Sequence, residues 1–424
     1  MSLTRTAYEL ATSAAHPLLG LAMRRRLRAG KEVAGRTDER FARSTTPRPH
    51  GTLIWMHGAS IGETRLLLET ARSLKLARPG LSFVFTSQTA TSAELIARAL
   101  AEDTSLASCA LHQFAPLDTP VIARRFVRHW TPDLAVFAEG EIWPNLLKQL
   151  RRRHIPTALI NARMTTKSLK GWARWSGLSR ELIGRFDVLM AADRQTASGL
   201  SGILGREVAM PGNLKSALSL PSHDETEASS LRQSFISGRR CLVAVSTHEG
   251  EEAFVLDAIS RLTAPTACII VPRHPERAPG IVAQIETRGM SHARRSQGDA
   301  ASSRTDVLLA DTLGEVALFA SLADTVYLGG GHTPGVGGHN PLEILRLGKP
   351  LATGPEVFNF ADIKSELEGQ PGYNTVETPQ ALSDGFPFAP PAETLMNALD
   401  ARARAPMAAT IEALLPLLPP EKAA

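Results

Sequence analysis

The stretch 324–347, DTVYLGGGHTPGVGGHNPLEILRL, reads as a strand, a glycine-rich loop and a helix. The strand is the apolar run ending at Leu328. The helix is Pro341–Leu347, with Asn340 suited to the N-cap and Pro341 to the first helical position. Glycines let backbone N–H groups approach an anion, which a helix N-terminus also attracts. Glu343 falls in the first helical turn, where a carboxylate suits ribose or sugar hydroxyls better than phosphate. A flexible loop with an ordinary capping carboxylate fits the same residues.

The strand-then-helix pattern repeats outward. Further strands are expected at Cys241–Val245, Ala267–Val271, Asp306–Ala310 and Pro350–Thr353, with helices Gly250–Leu262, Pro279–Arg288 and Leu313–Ala323 among them. The Ser/Arg/Gly-rich interval 291–305 reads as an exposed loop. An earlier series precedes this one. Strands Thr52–Met56, Leu81–Thr86, His112–Ala115, Leu134–Phe137, Pro156–Ile160 and Val188–Ala191 alternate with helical patterns, among them Glu63–Ala77 and Leu169–Arg185. The expected class is α/β, with two doubly wound Rossmann-like domains facing a central cleft. The expected division is an N-terminal segment 1–35, a first domain 36–212 that opens with a polar linker 36–50, and a second domain 213–390. Two helical patterns, 392–404 and 407–417, lie in a final segment 391–424 that can pack back on the first domain.

Cys109, Cys241 and Cys268 are widely spaced and form no C-x-x-C, which argues against a disulfide framework or zinc site and for a reducing compartment. A net charge of +5 and a pI near 9.3 suit an acidic ligand or a membrane surface. Only 5% of residues are aromatic and no long basic tract occurs, so nucleic acid is not the expected partner. Residues 7–23 are moderately apolar but interrupted by Glu9, His16 and Pro17, too short and too interrupted for the expected membrane span. Basic Arg24, Arg25, Arg26, Arg28 and Lys31 follow the apolar part, the wrong order for a signal peptide. That cluster suits anionic lipids, at roughly 1 kcal/mol per basic residue. A terminal helix docked on the core fits equally well.

Ligands of open α/β sheets sit beyond the carboxyl ends of the strands. Polar turns occur there: HGASIGE (57–63), AEGEIWPN (138–145), NAR (161–163), STHEGEE (246–252), VPRHPER (271–277) and DTLGE (311–315). Glu63 opens a helix, where the dipole stabilises a carboxylate and lowers its basicity. A base there needs an apolar surround or a like charge. Glu139 and Glu141 share one turn. Ser246 or Thr247 can cap the next helix, and Arg273 and His274 suit phosphate or a base edge.

Taken in order, HGASIGET, EGEIWPN, NARMTTKSLKGW, GNLK, STHEGEE, VPRHPER, DTLGE and GGHNPLE resemble the 3-deoxy-D-manno-octulosonic acid (Kdo) transferases of lipid A biosynthesis, across roughly residues 50–360. The resemblance implies a GT-B glycosyltransferase fold. It also implies inverting transfer of Kdo from CMP-Kdo to a lipid A precursor (lipid IVA), and attachment to the cytoplasmic face of the inner membrane through the N-terminal segment. By the same resemblance Glu63 is the general base, and Glu139 and Lys215 stabilise the transition state. Pro272, Arg273, Leu313, Gly314, Glu315, Asn340, Pro341, Leu342 and Glu343 meet CMP, whose phosphate faces the loop glycines. The sequence departs from the family at Gly58-Ala59, at Gly140 in place of threonine, and in a loop 329–336 one residue longer. No metal or other cofactor is expected. The alternatives are a related GT-B transferase with another nucleotide-sugar donor, or a nucleotide-binding membrane scaffold without catalysis. The intact Glu63, Glu139 and Glu141 argue against the scaffold. A dinucleotide oxidoreductase is disfavoured because no G-x-G-x-x-G follows the first strand.

Overall fold

Residues 53–56, LIWM, are all fully buried, as expected of a strand covered on both faces. Trp55 joins Phe126, Trp130 and Leu146 on one side, while Ile54 and Met56 join Leu67, Leu74 and Ile96 on the other. This strand, β1 (Thr52–His57), pairs in parallel with β2 (Leu81–Ser87) and β4 (Leu134–Ala138). With β3 (Ala110–Phe114), β5 (Thr157–Ala162) and β6 (Val188–Ala191) they form a sheet ordered β3-β2-β1-β4-β5-β6. A second parallel sheet contains β7 (Arg240–Thr247), β8 (Thr266–Pro272), β9 (His292–Arg294), β10 (Val307–Leu309), β11 (Thr325–Leu328), β12 (Leu351–Thr353) and β13 (Tyr373–Thr375). Its order is β13-β12-β11-β7-β8-β10-β9. Strand order therefore reverses at β1 in one sheet and at β7 in the other, and such switch points are where doubly wound sheets bind ligands.

The structure is a computed structural model that describes residues 3–217 and 224–420. The chain divides into unit one, Met1–Leu218 with Ala403–Ala424, and unit two, Ser219–Arg402. Lys215, expected in the second domain, thus belongs to unit one. The Leu214 N–H donates to Asn161 Oδ1 at 2.8 Å, which ties that turn to the end of β5.

Several boundaries differ from expectation for identifiable reasons. The two C-terminal patterns are one helix, Glu393–Leu414, that continues through Pro406. An internal proline removes one backbone bond, but burial sustains the helix on both sides of it. Leu399 lies in the core of unit two, and Met407, Ile411 and Leu414 lie in that of unit one. Leu169–Arg185 is two helices, Thr166–Arg174 and Ser176–Leu182. The interval 291–305 is not wholly loop, since it contributes β9. The linker 36–50 is anchored: Arg40 is buried, bonded to Glu32 and to the Ser87, Gln88 and Ala115 carbonyls.

The N-terminal segment docks on unit one as helices Leu3–Ala15 and Leu19–Arg28. Tyr8 Oη donates to Asp118 Oδ2 at 3.0 Å, and the same carboxylate caps the helix Pro144–Arg152 by accepting from the Asn145 and Leu146 N–H groups. Leu10, Leu18, Leu21 and Leu27 remain exposed, and Leu21 and Leu27 share the helix Leu19–Arg28 with the basic Arg24, Arg25, Arg26 and Arg28. Tyr8→Phe is expected to lower stability by about 1–2 kcal/mol and to speed protease cleavage within residues 3–28; unchanged cleavage would remove the bond as the anchor. No helix among the described residues is long and apolar enough to cross a membrane.

Candidate active site

In unit one the site grows from the turns after β1 and β4. Ser60 caps the helix Ile61–Ala77, its Oγ accepting from the Glu63 N–H at 3.3 Å and donating to Glu63 Oε1 at 2.7 Å. The Ala59 N–H donates to Glu63 Oε2 at 2.8 Å. This reciprocal box fixes the Glu63 carboxylate. Glu63 is only 7% exposed. Burial raises its pKa above the ordinary carboxylate value, against the bonds from Ala59 and Ser60 and with help from the charges of Glu141 and Glu139. Desolvation and like charge, the two conditions that a base at this helix start needs, are thus both present.

Glu139 adopts a positive φ of 53° directly after β4, a strained conformation that clusters at functional sites. Its Oε1 pairs with Lys215 Nζ at 2.6 Å and receives a longer bond from Asn161 Nδ2 at 3.5 Å. A Cβ at Gly62 would lie 3.4 Å from Lys215 Nζ, so the missing side chain leaves the ammonium room beside the Glu63 turn. Glu63, Glu139 and Lys215 are therefore gathered within one unit. The sequence marks Asn161 only as part of the turn NAR (161–163), yet it supports both Glu139 and the Lys215 turn. Its position at a strand end, where asparagine tolerates positive φ (here 51°), was the available signal.

In unit two the expected nucleotide positions also follow strand ends. At the end of β8, Pro272 is buried, and Arg273, the next residue, is exposed. After β10, Leu313 is 80% exposed and Gly314 has φ 88°. Burial disfavours an ionised Glu315, but bonds from Arg295 at 2.6 Å and from Thr312 hold it below the ordinary carboxylate range. After β11, Asn340 Oδ1 accepts from the Leu342 N–H at 3.1 Å, and Glu343 is exposed. The helix here is a single turn, Leu342–Leu345, rather than Pro341–Leu347, with Pro341 as its cap. So short a helix contributes little dipole.

The glycine loop departs further from expectation. The Gly330 and His332 N–H groups donate to the buried carboxylate of Glu251, at 2.8 and 3.0 Å, and so do not await a phosphate. Neither Ser246 nor Thr247 caps the helix Glu251–Ile259; Gly250 occupies the cap, and Thr247 Oγ1 donates to Glu252. His248 Nε2 and His339 Nε2 lie 2.9 Å apart, so one imidazole donates and the other accepts. Burial lowers the His339 pKa to about 4. Among the described residues, no group of three His, Cys, Asp or Glu side chains is arranged to hold a metal ion.

Residues 35–218 match the family described as 3-deoxy-D-manno-octulosonic-acid transferase (kdotransferase). The 3-deoxy-D-manno-octulosonic acid transferase of Bordetella pertussis is 33% identical over 84% of this chain and 85% of its own. The chain belongs to this family. It is a Kdo-transferase-family glycosyltransferase, and an Arabidopsis thaliana relative named "Probable 3-deoxy-D-manno-octulosonic acid transferase, mitochondrial" is 32% identical over 85% of this chain and 82% of its own. A solved glycosyltransferase of Rickettsia africae covers 87% of the chain, and 95% of its own, at 11% identity and a TM-score of 0.50. A UDP-GlcNAc 2-epimerase of Neisseria meningitidis covers 86% of the chain, and all of its own, at 13% identity and the same TM-score. These likenesses concern fold alone, and the fold of this Kdo-transferase-family chain is of the GT-B class.

Proposed function

We propose that this chain transfers Kdo from CMP-Kdo to a lipid A precursor, lipid IVA, with inversion at the anomeric carbon. Glu63 is the general base that takes the proton of the acceptor hydroxyl. The carrying observation is a Glu63 carboxylate fixed at two oxygens, made more basic by burial, in the same unit as the Glu139–Lys215 pair. Lys215 offsets negative charge as CMP departs, and Glu139 orients the ammonium. CMP leaves as a phosphate monoester, so neither a covalent intermediate nor a metal is required; EDTA is expected to leave kcat unchanged.

On this reading Pro272, Arg273, Leu313, Gly314, Glu315 and the Asn340–Glu343 turn hold the nucleotide, with exposed Arg273 the cation for its phosphate. Exposed Leu18 and Leu21 beside Arg24, Arg25 and Arg28 support seating on the cytoplasmic face of the inner membrane. The test incubates detergent-solubilised protein with excess CMP-Kdo and a tetra-acylated lipid A precursor, and reads the product by mass spectrometry. Kdo added to the lipid is the expected result. Transfer from a UDP-sugar instead, or none from CMP-Kdo by folded protein, would overturn it.

A further inference from the structure

Three imidazoles form a row across the carboxyl ends of β11, β7 and β8, which are neighbours in the second sheet. His339, His248 and His274 follow these strands in that order. The His248 and His339 ring planes differ by 16°, their centroids lie 5.1 Å apart and their Nε2 atoms 2.9 Å apart. That spacing fits two rings meeting nitrogen to nitrogen in nearly one plane, as a hydrogen bond requires. The His274 ring meets His248 edge-on at 5.8 Å. The row links the two turns read above as nucleotide contacts, since Arg273 precedes His274 and Asn340 follows His339.

A nitrogen-to-nitrogen bond needs one nitrogen with a hydrogen and one without. At least one ring is therefore neutral, and the bonded pair carries either no charge or one. In the uncharged pair the donating ring has its only hydrogen in the shared bond, so its Nδ1 is bare. A proton added there makes that ring an imidazolium, strengthens the shared bond and leaves a hydrogen on both Nδ1 atoms. A second proton would break the bond. The backbone of these turns is already engaged, because the His248, Gly330 and His332 N–H groups donate to Glu251. An anion at these turns is thus left to side chains.

Resting on the reading of these turns as the nucleotide site, we propose that the His248–His339 pair binds the nucleotide's phosphate and takes up one proton from solvent as it does so. His248 faces Glu251, Glu252, His274 and Arg277, and His339 faces Arg273 and His248. Glu252 is paired with Arg277 at 2.7 Å, and His274 lies 3.5 Å from Glu276. Burial is the largest influence on both rings and lowers both pKa values, so the free pair is uncharged at neutral pH. An opposite charge close by raises such a group by about 1–3 pH units. The bound state then holds more protons than the free state, so affinity falls as pH rises.

Calorimetric titration with cytidine 5′-methylphosphate tests this. Its phosphate is a diester, as in the donor, and keeps one negative charge throughout; it has no sugar carboxylate. In buffers of different ionisation heat, the wild type should take up close to one proton per ligand at about pH 6. Kd should rise about tenfold from about pH 5.5 to about pH 7.5. Cytidine, which lacks the phosphate, should bind with no uptake. His248→Gln and His339→Gln keep a hydrogen-bonding side chain but hold no proton, so each should abolish the uptake and flatten the profile. His274→Gln should preserve both. Binding of the diester by wild type without uptake, equal uptake with cytidine, or uptake lost only in His274→Gln would each overturn the proposal. The first two need no variant to fold. Folded wild type that binds neither this ligand nor CMP overturns the reading of the nucleotide site instead.

Discussion

Glu63→Gln is expected to cut turnover by roughly 10²–10⁴-fold while CMP binding stays unchanged. The amide has the carboxylate's shape, and its oxygen can still accept from Ala59 or Ser60, so the helix cap largely survives. What disappears is the proton acceptor. The proposed CMP contacts lie in unit two and Glu63 in unit one, so a calorimetric titration with CMP separates the two losses. In the wild type the acid limb of the rate should lie above the ordinary carboxylate range, because burial raises the Glu63 pKa. The stability sign follows by linkage. Between the unfolded pKa and the raised folded pKa, the folded state binds more protons, so stability falls as pH rises through that window. Glu63→Gln lacks this loss and should be relatively more stable on the alkaline side of it. Full turnover by the variant would remove Glu63 as base, and a stability difference that grew in the opposite sense with pH would contradict its raised pKa.

The sequence revealed the two sheets because their strands are short apolar runs, each closed by a turn, and burial on both faces leaves that pattern little freedom. It singled out Glu63, Glu139 and Lys215 through ordered motifs, and the structure places all three in unit one. It did not reveal β9 or β13, three-residue edge strands whose pairing depends on a neighbour rather than on their own composition. Nor did it assign Lys215 to unit one, because contacts distant in sequence hold that turn: the Leu214 bond to Asn161, 53 positions away, the burial of Leu214 and the Lys215–Glu139 pair. The glycine loop failed for a related reason. Glycine density shows that backbone approaches something closely, but not what it approaches. In this chain the partner is Glu251, which its place in STHEGEE (246–252) does not single out.

Glu251→Ala is therefore expected to destabilise unit two. Glu251 is 1% exposed, and its carboxylate accepts from the His248 N–H at 2.9 Å, the Gly330 N–H at 2.8 Å and the His332 N–H at 3.0 Å. These donors belong to the turns after β7 and β11, neighbours at the point where strand order reverses. One carboxylate thus joins the two turns and neutralises N–H groups that would otherwise be open to an anion. A methyl group cannot accept, and each buried donor left unpaired costs about 1–3 kcal/mol. The Gly330 bond is buried and those from His248 and His332 are part-buried, so the total is roughly 2–5 kcal/mol, a large share of a domain's net stability. A Cβ at Gly329 would stand only 2.7 Å from Glu251 Oε2, so the loop is built against this oxygen. Released from it, residues 330–340 should no longer present Asn340 in one position. CMP affinity should then fall at least about tenfold, the ratio that corresponds to 1.4 kcal/mol of lost binding energy. Glu251→Gln, which keeps one oxygen but turns an NH₂ toward the donors, should fall between the two. The measurements are a urea unfolding midpoint and a CMP titration. A Glu251→Ala protein with the wild-type midpoint and wild-type CMP affinity would show that water replaces the carboxylate and that the loop holds its shape without it.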